Sequence, residues 1–174
     1  IAYAHSFGRK VHITVNTLPR TNEYPALREY FEFLETVKPD ALIIADAGVF
    51  ALAREVLPET EIHVSTQAGI VSAADCLFWR SLGAKRAVLA RELSLNEIIE
   101  IRRNVPDDFE IETFVHGSMC VSFSGRCLLS NALTGRDGNR GSCAQPCRWS
   151  YTISEEKRKD SPMPIEETPD GTFI

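Results

Sequence analysis

The sequence predicts an α/β fold, part of a (β/α)8 TIM-type barrel with five parallel strands and their helices. Three observations predict it. Strand-like and helix-like segments alternate strictly from Val11 to Gly117 with short turns between them. The strands are short and nearly all apolar, as strands of a parallel sheet covered by helices are. They end on polar residues, Asn16, Asp46, Gln67, Arg91-Glu92 and His116, where a site at the C-terminal mouth of a barrel takes its side chains. Strand ends are wetter than strand middles in any sheet, so the set carries the inference and no single residue does. An open doubly wound sheet competes. The sequence lacks a G-x-G-x-x-G run, which weakens its dinucleotide-binding version.

VHITVN (Val11 to Asn16) is the first strand, and PALREYFEFLETV (Pro25 to Val37) has helical periodicity behind a favourable N-terminal proline. Pro39-Asp40 punctuates the chain before ALIIAD, Ala41 to Asp46. GVFALAREVLP is the next helix, stopped by Pro58, and IHVSTQA (Ile62 to Ala68) is the third strand. In VSAADCLFWRSLG the apolar residues Val71, Ala74, Phe78 and Leu82 repeat near helical spacing, and Gly83 is a natural stop. Cys76 lies beside that stripe and reads as a small packing residue. RAVLARE (Arg86 to Glu92) is the fourth strand. In LSLNEIIEIRRNV a helix is capped by Ser94 with Glu97 completing a capping box, and Pro106 ends it. IETFVHG (Ile111 to Gly117) is the fifth strand.

Five strands do not close an eight-stranded barrel, which takes roughly 250 residues. On the barrel reading, two strands precede Ile1, one follows Ile174, and this chain by itself presents open sheet edges. The expected division is a partial barrel over residues 1–117, a Cys-rich cluster-binding segment over 118–151, and a charged, Pro-containing connector over 152–174 to a further C-terminal part. Within that connector GTFI is fit to begin a strand.

The chain has 174 residues, 44% hydrophobic and 25% charged, an ordinary balance for a globular domain with a sizeable core. No apolar run approaches the roughly 18 residues that cross a bilayer, so no membrane role and a cytoplasmic location are expected. Net charge is −5, so nucleic-acid binding would need a local basic patch. Residues 117–150 supply one, with Arg126, Arg136, Arg140 and Arg148 against Asp137 alone.

That stretch also holds Cys120-x6-Cys127-x15-Cys143-x3-Cys147. The spacing lacks the tight C-x2-C pairs of most structural zinc sites, and disulfides are uncommon in a reducing cytoplasm. Iron-sulfur clusters tolerate irregular spacing of four cysteines. A cluster, a zinc ion and free or redox thiols all stay open on spacing alone. Gly117, Gly125, Gly135, Gly138 and Gly141 would let the backbone wrap a metal centre closely, and they equally suit a plain loop.

The run ETFVHGSMCVSFSGRCLLS (Glu112 to Ser130), followed by RDGNRGSCAQPCRW (Arg136 to Trp149), resembles the double-cysteine signature of the collagenase-like peptidase family of unknown catalytic type. IHVSTQA and ARELSL resemble that family's barrel strands. The likeness covers roughly Val11 to Tyr151 and is nearest the family's tRNA-hydroxylating branch. It implies a (β/α)8-type catalytic domain whose cysteines, here Cys120, Cys127, Cys143 and Cys147, bind a [4Fe-4S] cluster. It further implies conversion of wobble uridine to 5-hydroxyuridine in tRNA, with prephenate as a required metabolite.

On this expectation the arginines Arg126, Arg136, Arg140 and Arg148 meet tRNA phosphates or the carboxylates of a small dicarboxylic acid such as prephenate. Trp149 and Phe123 are candidates to stack on a splayed base, or to pack in the core. His116 and Glu92 are the candidate catalytic groups; His116 would serve as acid, base or orienting group. Gln67 and Arg91 are the main mouth candidates for substrate binding, with Asp46 and Asn16 behind them. Two other functions remain. A cysteine peptidase would pair His116 with Cys120, although no H-E-x-x-H or G-x-S-x-G run appears and three more cysteines stay unexplained. A non-catalytic module would use its metal only to stabilise an RNA-contacting loop.

Overall fold

The computed structural model describes residues 1–117, 119–123, 126–164, 166–168 and 171–173. They form two compact units, Ile1–Ala144 and Gln145–Ile174. In the first, parallel strands β1 (His12–Val15), β2 (Ala41–Ile44), β3 (Glu61–Val64), β4 (Arg86–Val88) and β5 (Glu110–Glu112) form one sheet in the order β1-β2-β3-β4-β5. Every strand lies beside its chain neighbours, without the reversal of order that defines a doubly wound sheet. The intervening helices are α2 (Tyr24–Val37), α3 (Ala47–Val56), α4 (Ala73–Ser81) and α5 (Leu95–Asn104). A short α1 (Ala2–Ser6), which the sequence reading did not anticipate, precedes β1.

The helices pack on one face of the sheet. Val15, Leu42, Ile44, Ile62, Val64 and Ala87, all of one parity along their strands, share a buried core with Phe31 and Leu34 of α2, Val49 and Phe50 of α3, Cys76 of α4 and Ile101 of α5. Residues of the other parity lie outside that core. The register aligns Thr14, Ile43, His63, Arg86 and Glu110 across all five strands on the opposite face. That face is polar. Arg86 donates to Glu110 at 2.7 Å and to Glu112 at 2.9 Å. His63 is buried, and its closest carboxylate oxygen, on Glu61, is 3.5 Å away, too far for a hydrogen bond. Burial, with the Arg86 charge second, pushes the His63 pKa below the ordinary imidazole value.

Helix starts follow local chemistry. Asp46 Oδ1 accepts from the Val49 amide and caps α3, Ser72 Oγ accepts from Asp75 and caps α4, and Ser94 with Glu97 forms the expected capping box at α5. Three strands are shorter than their apolar runs suggest. The fourth stops at Val88: the Leu89 amide still donates to Glu112 of β5, but the Ala90 amide turns away to the carbonyl of Ile70. The third ends at Val64, where Ser65 caps a 3-10 turn over Thr66–Ala68. The fifth leaves the sheet after Glu112, so His116 follows the strand instead of ending it.

Beyond β5 the Cys-rich segment has its own short structure, with α6 (Leu129–Thr134) and a 3-10 turn at Gly138–Arg140. In the second unit a 3-10 turn at Pro146–Arg148 precedes β6 (Thr152–Glu155), which pairs antiparallel with β7 (Arg158–Pro164), while β8 (Glu166–Thr168) pairs with β9 (Gly171–Phe173). The charged tail expected as a connector is thus strand-paired, and the GTF run is the strand that its composition suggested. No helix among the described residues is long and apolar enough to cross a membrane.

Candidate functional site

A cavity of about 460 Å³ opens at the C-terminal ends of β1, β2 and β3. Asn16 reaches it from the end of β1, Asp46 from the turn after β2, and Gln67 from the 3-10 turn after β3. Arg126, Leu128 and Asn139 of the Cys-rich segment complete the polar and aliphatic lining. Asp46 is partly committed to structure, since its Oδ1 also accepts from the Tyr24 hydroxyl at 3.2 Å. Burial, with the Asp46 charge second, raises the Tyr24 pKa. The carboxamide oxygens Asn16 Oδ1 and Gln67 Oε1 are buried and accept no hydrogen bond from the described residues.

Two arginines fasten the Cys-rich segment to the sheet end. Arg91 Nη2 donates to the carbonyl of Ser122 at 3.0 Å, and its Nη1 donates to that of Cys120. Arg140 donates to the Leu18 carbonyl at 3.1 Å and to Glu23 at 2.9 Å, while the Leu18 amide donates to the Asn139 carbonyl at 3.3 Å. The Arg140 guanidinium, followed by the Arg20 amide, lowers the Glu23 pKa to about 2. Within the segment, Asn139 Nδ2 donates to the Cys127 carbonyl at 3.1 Å. The buried Ser130 hydroxyl donates to the Arg136 carbonyl at 2.6 Å and accepts from the Ala144 amide at 3.0 Å.

The expected mouth residues therefore divide. Gln67 and Arg126 meet in one cavity with Asn16 and Asp46. Arg91 has both terminal nitrogens on backbone carbonyls and holds the segment. Arg140 is neutralised by Glu23 instead of standing ready for a phosphate. Arg136 folds back locally, its Nε donating to the Ser142 carbonyl at 3.1 Å. Glu92 lies exposed in the turn after β4, and His116 is exposed beyond β5. No hydrogen bond among the described residues joins His116 to Cys120. Phe123 is 48% exposed, which sets aside core packing for that ring. In the second unit Arg148 sits in the 3-10 turn, and Trp149 stacks on Tyr151 with ring centres 6.5 Å apart. Gly125, one of the expected wrapping glycines, lies outside the described residues.

The cysteines are chemically suited to a soft metal centre, because all are thiols outside any disulfide and Cys120, Cys143 and Cys147 are exposed. Their placement does not assemble one. Among the described residues no group of three or more His, Cys, Asp or Glu side chains is close enough to hold a metal ion. Cys120, Cys127 and Cys143 belong to the first unit and Cys147 to the second.

Fold and site together define a singly wound α/β protein with a polar cavity at its strand ends, bordered by a tethered Cys-rich segment. Peptidase family U32 matches residues 1–173, and the chain belongs to that family. The chain is similar to the tRNA hydroxylation protein P of Escherichia coli, at 43% identity over 171 residues covering 94% of this chain and 38% of that protein. Its likeness to the protein of that name from Haemophilus influenzae is 44% over 157 residues, 90% of this chain and 34% of the relative. The 23S rRNA 5-hydroxycytidine C2501 synthase of Escherichia coli is 38% identical over 157 residues, 90% of this chain and 23% of the relative. The chain thus spans well under half the length of these curated relatives. The solved structure of the U32 peptidase Mk0906 superposes with a TM-score of 0.54 at 21% identity, over 64% of this chain and 48% of that one, and supports the fold alone.

Proposed function

We propose that this chain is part of an RNA-hydroxylating protein that supports conversion of wobble uridine to 5-hydroxyuridine in tRNA. The observation that carries the reading is the 43% identity, over 94% of the chain, to a relative named for tRNA hydroxylation. The cavity at the strand ends offers a place for a base, and Arg126 on its lining offers a cation for a neighbouring phosphate. Hydroxylating a base carbon needs redox or group-transfer chemistry that ordinary side chains do not supply. In this proposal Cys120, Cys127, Cys143 and Cys147, whose side chains do not gather into a metal site as they stand, would close on a [4Fe-4S] cluster that supplies it, and a small dicarboxylic acid such as prephenate takes part. The work of the chain itself is to hold the Cys-rich segment through Arg91 and Arg140, and to present Asn16 and Gln67 at the strand ends.

The test is anaerobic purification of the full-length protein with iron, sulfide and zinc counts, beside nucleoside analysis of tRNA from a deletion strain. About four irons and four sulfides per chain are expected. Hydroxyuridine should disappear on deletion and stay absent with Cys120→Ala or Cys127→Ala. Unchanged hydroxyuridine in the deletion strain overturns the reading. Gelatin cleavage abolished by Cys120→Ser with metal content intact would put a peptidase in its place.

A further inference from the structure

We infer that Asn139 is a positioning residue, which holds Cys127 beside the strand-end cavity by a hydrogen bond that needs no metal. The inference rests on the metal-centre reading only for what Cys127 would bind. The hold on Cys127 is made by the chain's own contacts.

Asn139 Nδ2 donates to the Cys127 carbonyl at 3.1 Å, across 12 residues of chain. A carbonyl oxygen only accepts, so the amide nitrogen of Asn139 must face it and the side-chain oxygen cannot take its place. The grip is on the backbone of Cys127 and does not use the thiol. Asn139 is itself fixed. Its own amide donates to Asp137 Oδ1 at 2.9 Å, and the amides of Arg140 and Ser142 donate to the Asp137 carbonyl at 3.1 Å and 3.0 Å. Gly141 closes the 3-10 turn at a φ of +79°, a left-handed backbone that suits glycine.

From this turn two contacts reach the loop after β1. The Leu18 amide donates to the Asn139 carbonyl at 3.3 Å, and Arg140 donates to the Leu18 carbonyl and to Glu23. Cys127 is tied in this way to the end of β1, as Cys120 is tied through Arg91 to the turn after β4. Leu18, Leu128 and Asn139 line the cavity, and Cys127 directly precedes Leu128. The contacts that fix Cys127 also set it next to that lining. Groups that orient a metal ligand from behind typically change metal affinity about 10–100-fold when they are removed.

The experiment compares the full-length wild type with Asn139→Ala and Asn139→Asp, each purified anaerobically and each also stripped of metal by a chelator. Aspartate keeps the size of the side chain but turns only acceptors toward the Cys127 carbonyl. In the stripped wild type the half-buried Cys127 should alkylate more slowly than the exposed Cys120 and Cys143. In both variants the Cys127 rate should rise about fivefold or more, with Cys120 and Cys143 unchanged. Iron release from the unstripped protein to the chelator should quicken about tenfold or more in both variants, and the visible absorption of the bound iron should shift. The inference is overturned if Cys127 in the stripped wild type reacts as fast as the exposed thiols, or if Asn139→Asp matches the wild type. It is overturned as well if all the thiols quicken together, or if iron release is unchanged. Should neither variant fold, the stripped wild type decides. A wild type that holds no iron defeats the cluster reading, while selective quickening of Cys127 still upholds the tether. Iron held with Cys127 indifferent to Asn139 defeats only the present inference.

Discussion

Arg91 and Cys120 stand 29 residues apart in the chain and are joined by a hydrogen bond of 2.6 Å from the guanidinium to the cysteine carbonyl. The other guanidinium nitrogen takes the Ser122 carbonyl, so one side chain spans the start of the Cys-rich segment. Arg91 was expected to bind a carboxylate at the mouth. A planar, permanently charged fork serves equally well to gather carbonyls.

Replacing Arg91 by Ala should therefore loosen residues 120–122 before it affects the sheet. Proteolysis and hydrogen exchange should report faster opening there, with a global loss of about 1–3 kcal/mol, reduced by solvent exposure of the contacts. Unchanged protection at Cys120 and Ser122 would show that the tether has no hold.

Gly48→Ala should destabilise, against the usual gain of up to about 1 kcal/mol for this exchange in a helix. An added Cβ would stand 2.2 Å from the Tyr24 hydroxyl oxygen, which is held by Asp46. A cost of about 1–3 kcal/mol is expected from overpacking, and Tyr24→Phe should recover part of it in a double-mutant cycle. Additive effects of the two substitutions would show that the clash is relieved elsewhere.

The Glu23–Arg140 pair sets a pH dependence. The Glu23 pKa is depressed from 4.5 to about 2, so its contribution is complete above roughly pH 4.5 and fades as pH falls toward 2. Glu23→Gln should lower the thermal midpoint modestly at neutral pH and by progressively less on acidification, converging with the wild type near pH 2. A difference undiminished at pH 2 would exclude the ion pair as its source.

The five thiols should separate by reactivity. Cys76 is fully buried in the core, and burial pushes its pKa up to about 11, which withholds the thiolate. Metal-free protein should alkylate readily at the exposed Cys120, Cys143 and Cys147 and not at Cys76 until unfolded, as read by peptide mass spectrometry. Protein purified anaerobically should protect Cys120, Cys127, Cys143 and Cys147 together if they share a metal centre. Equal labelling with and without chelator would leave them as independent thiols.

Much of the sheet was legible because the signals were local. Strand and helix periods alternate, and Ser94 with Glu97 announced the start of α5. The strand-end rule brought Asn16, Asp46 and Gln67 toward one cavity. Strand ends themselves were not legible, because Ala90 is apolar whether or not its amide stays in the ladder. The partners of Arg91 and Arg140 lie 29 and 117 residues away in the chain, beyond any periodic signal. The tail misled for a different reason. Its prolines and charges suit a linker, yet both strands of a two-stranded ribbon are edges, where a missing amide costs little.

The two sides of the sheet obey opposite rules. Ile62, Val64 and Ala87 point into hydrocarbon, while their chain neighbours Glu61, His63 and Arg86 on the alternate rows carry charge or a polar ring. Sliding β3 or β4 by one position would drive those ionisable groups among the helices and strip the apolar ones away. Alignment of β3 and β4 is thus guarded by a penalty for misreading, which the all-apolar β2 between β1 and β3 does not itself carry.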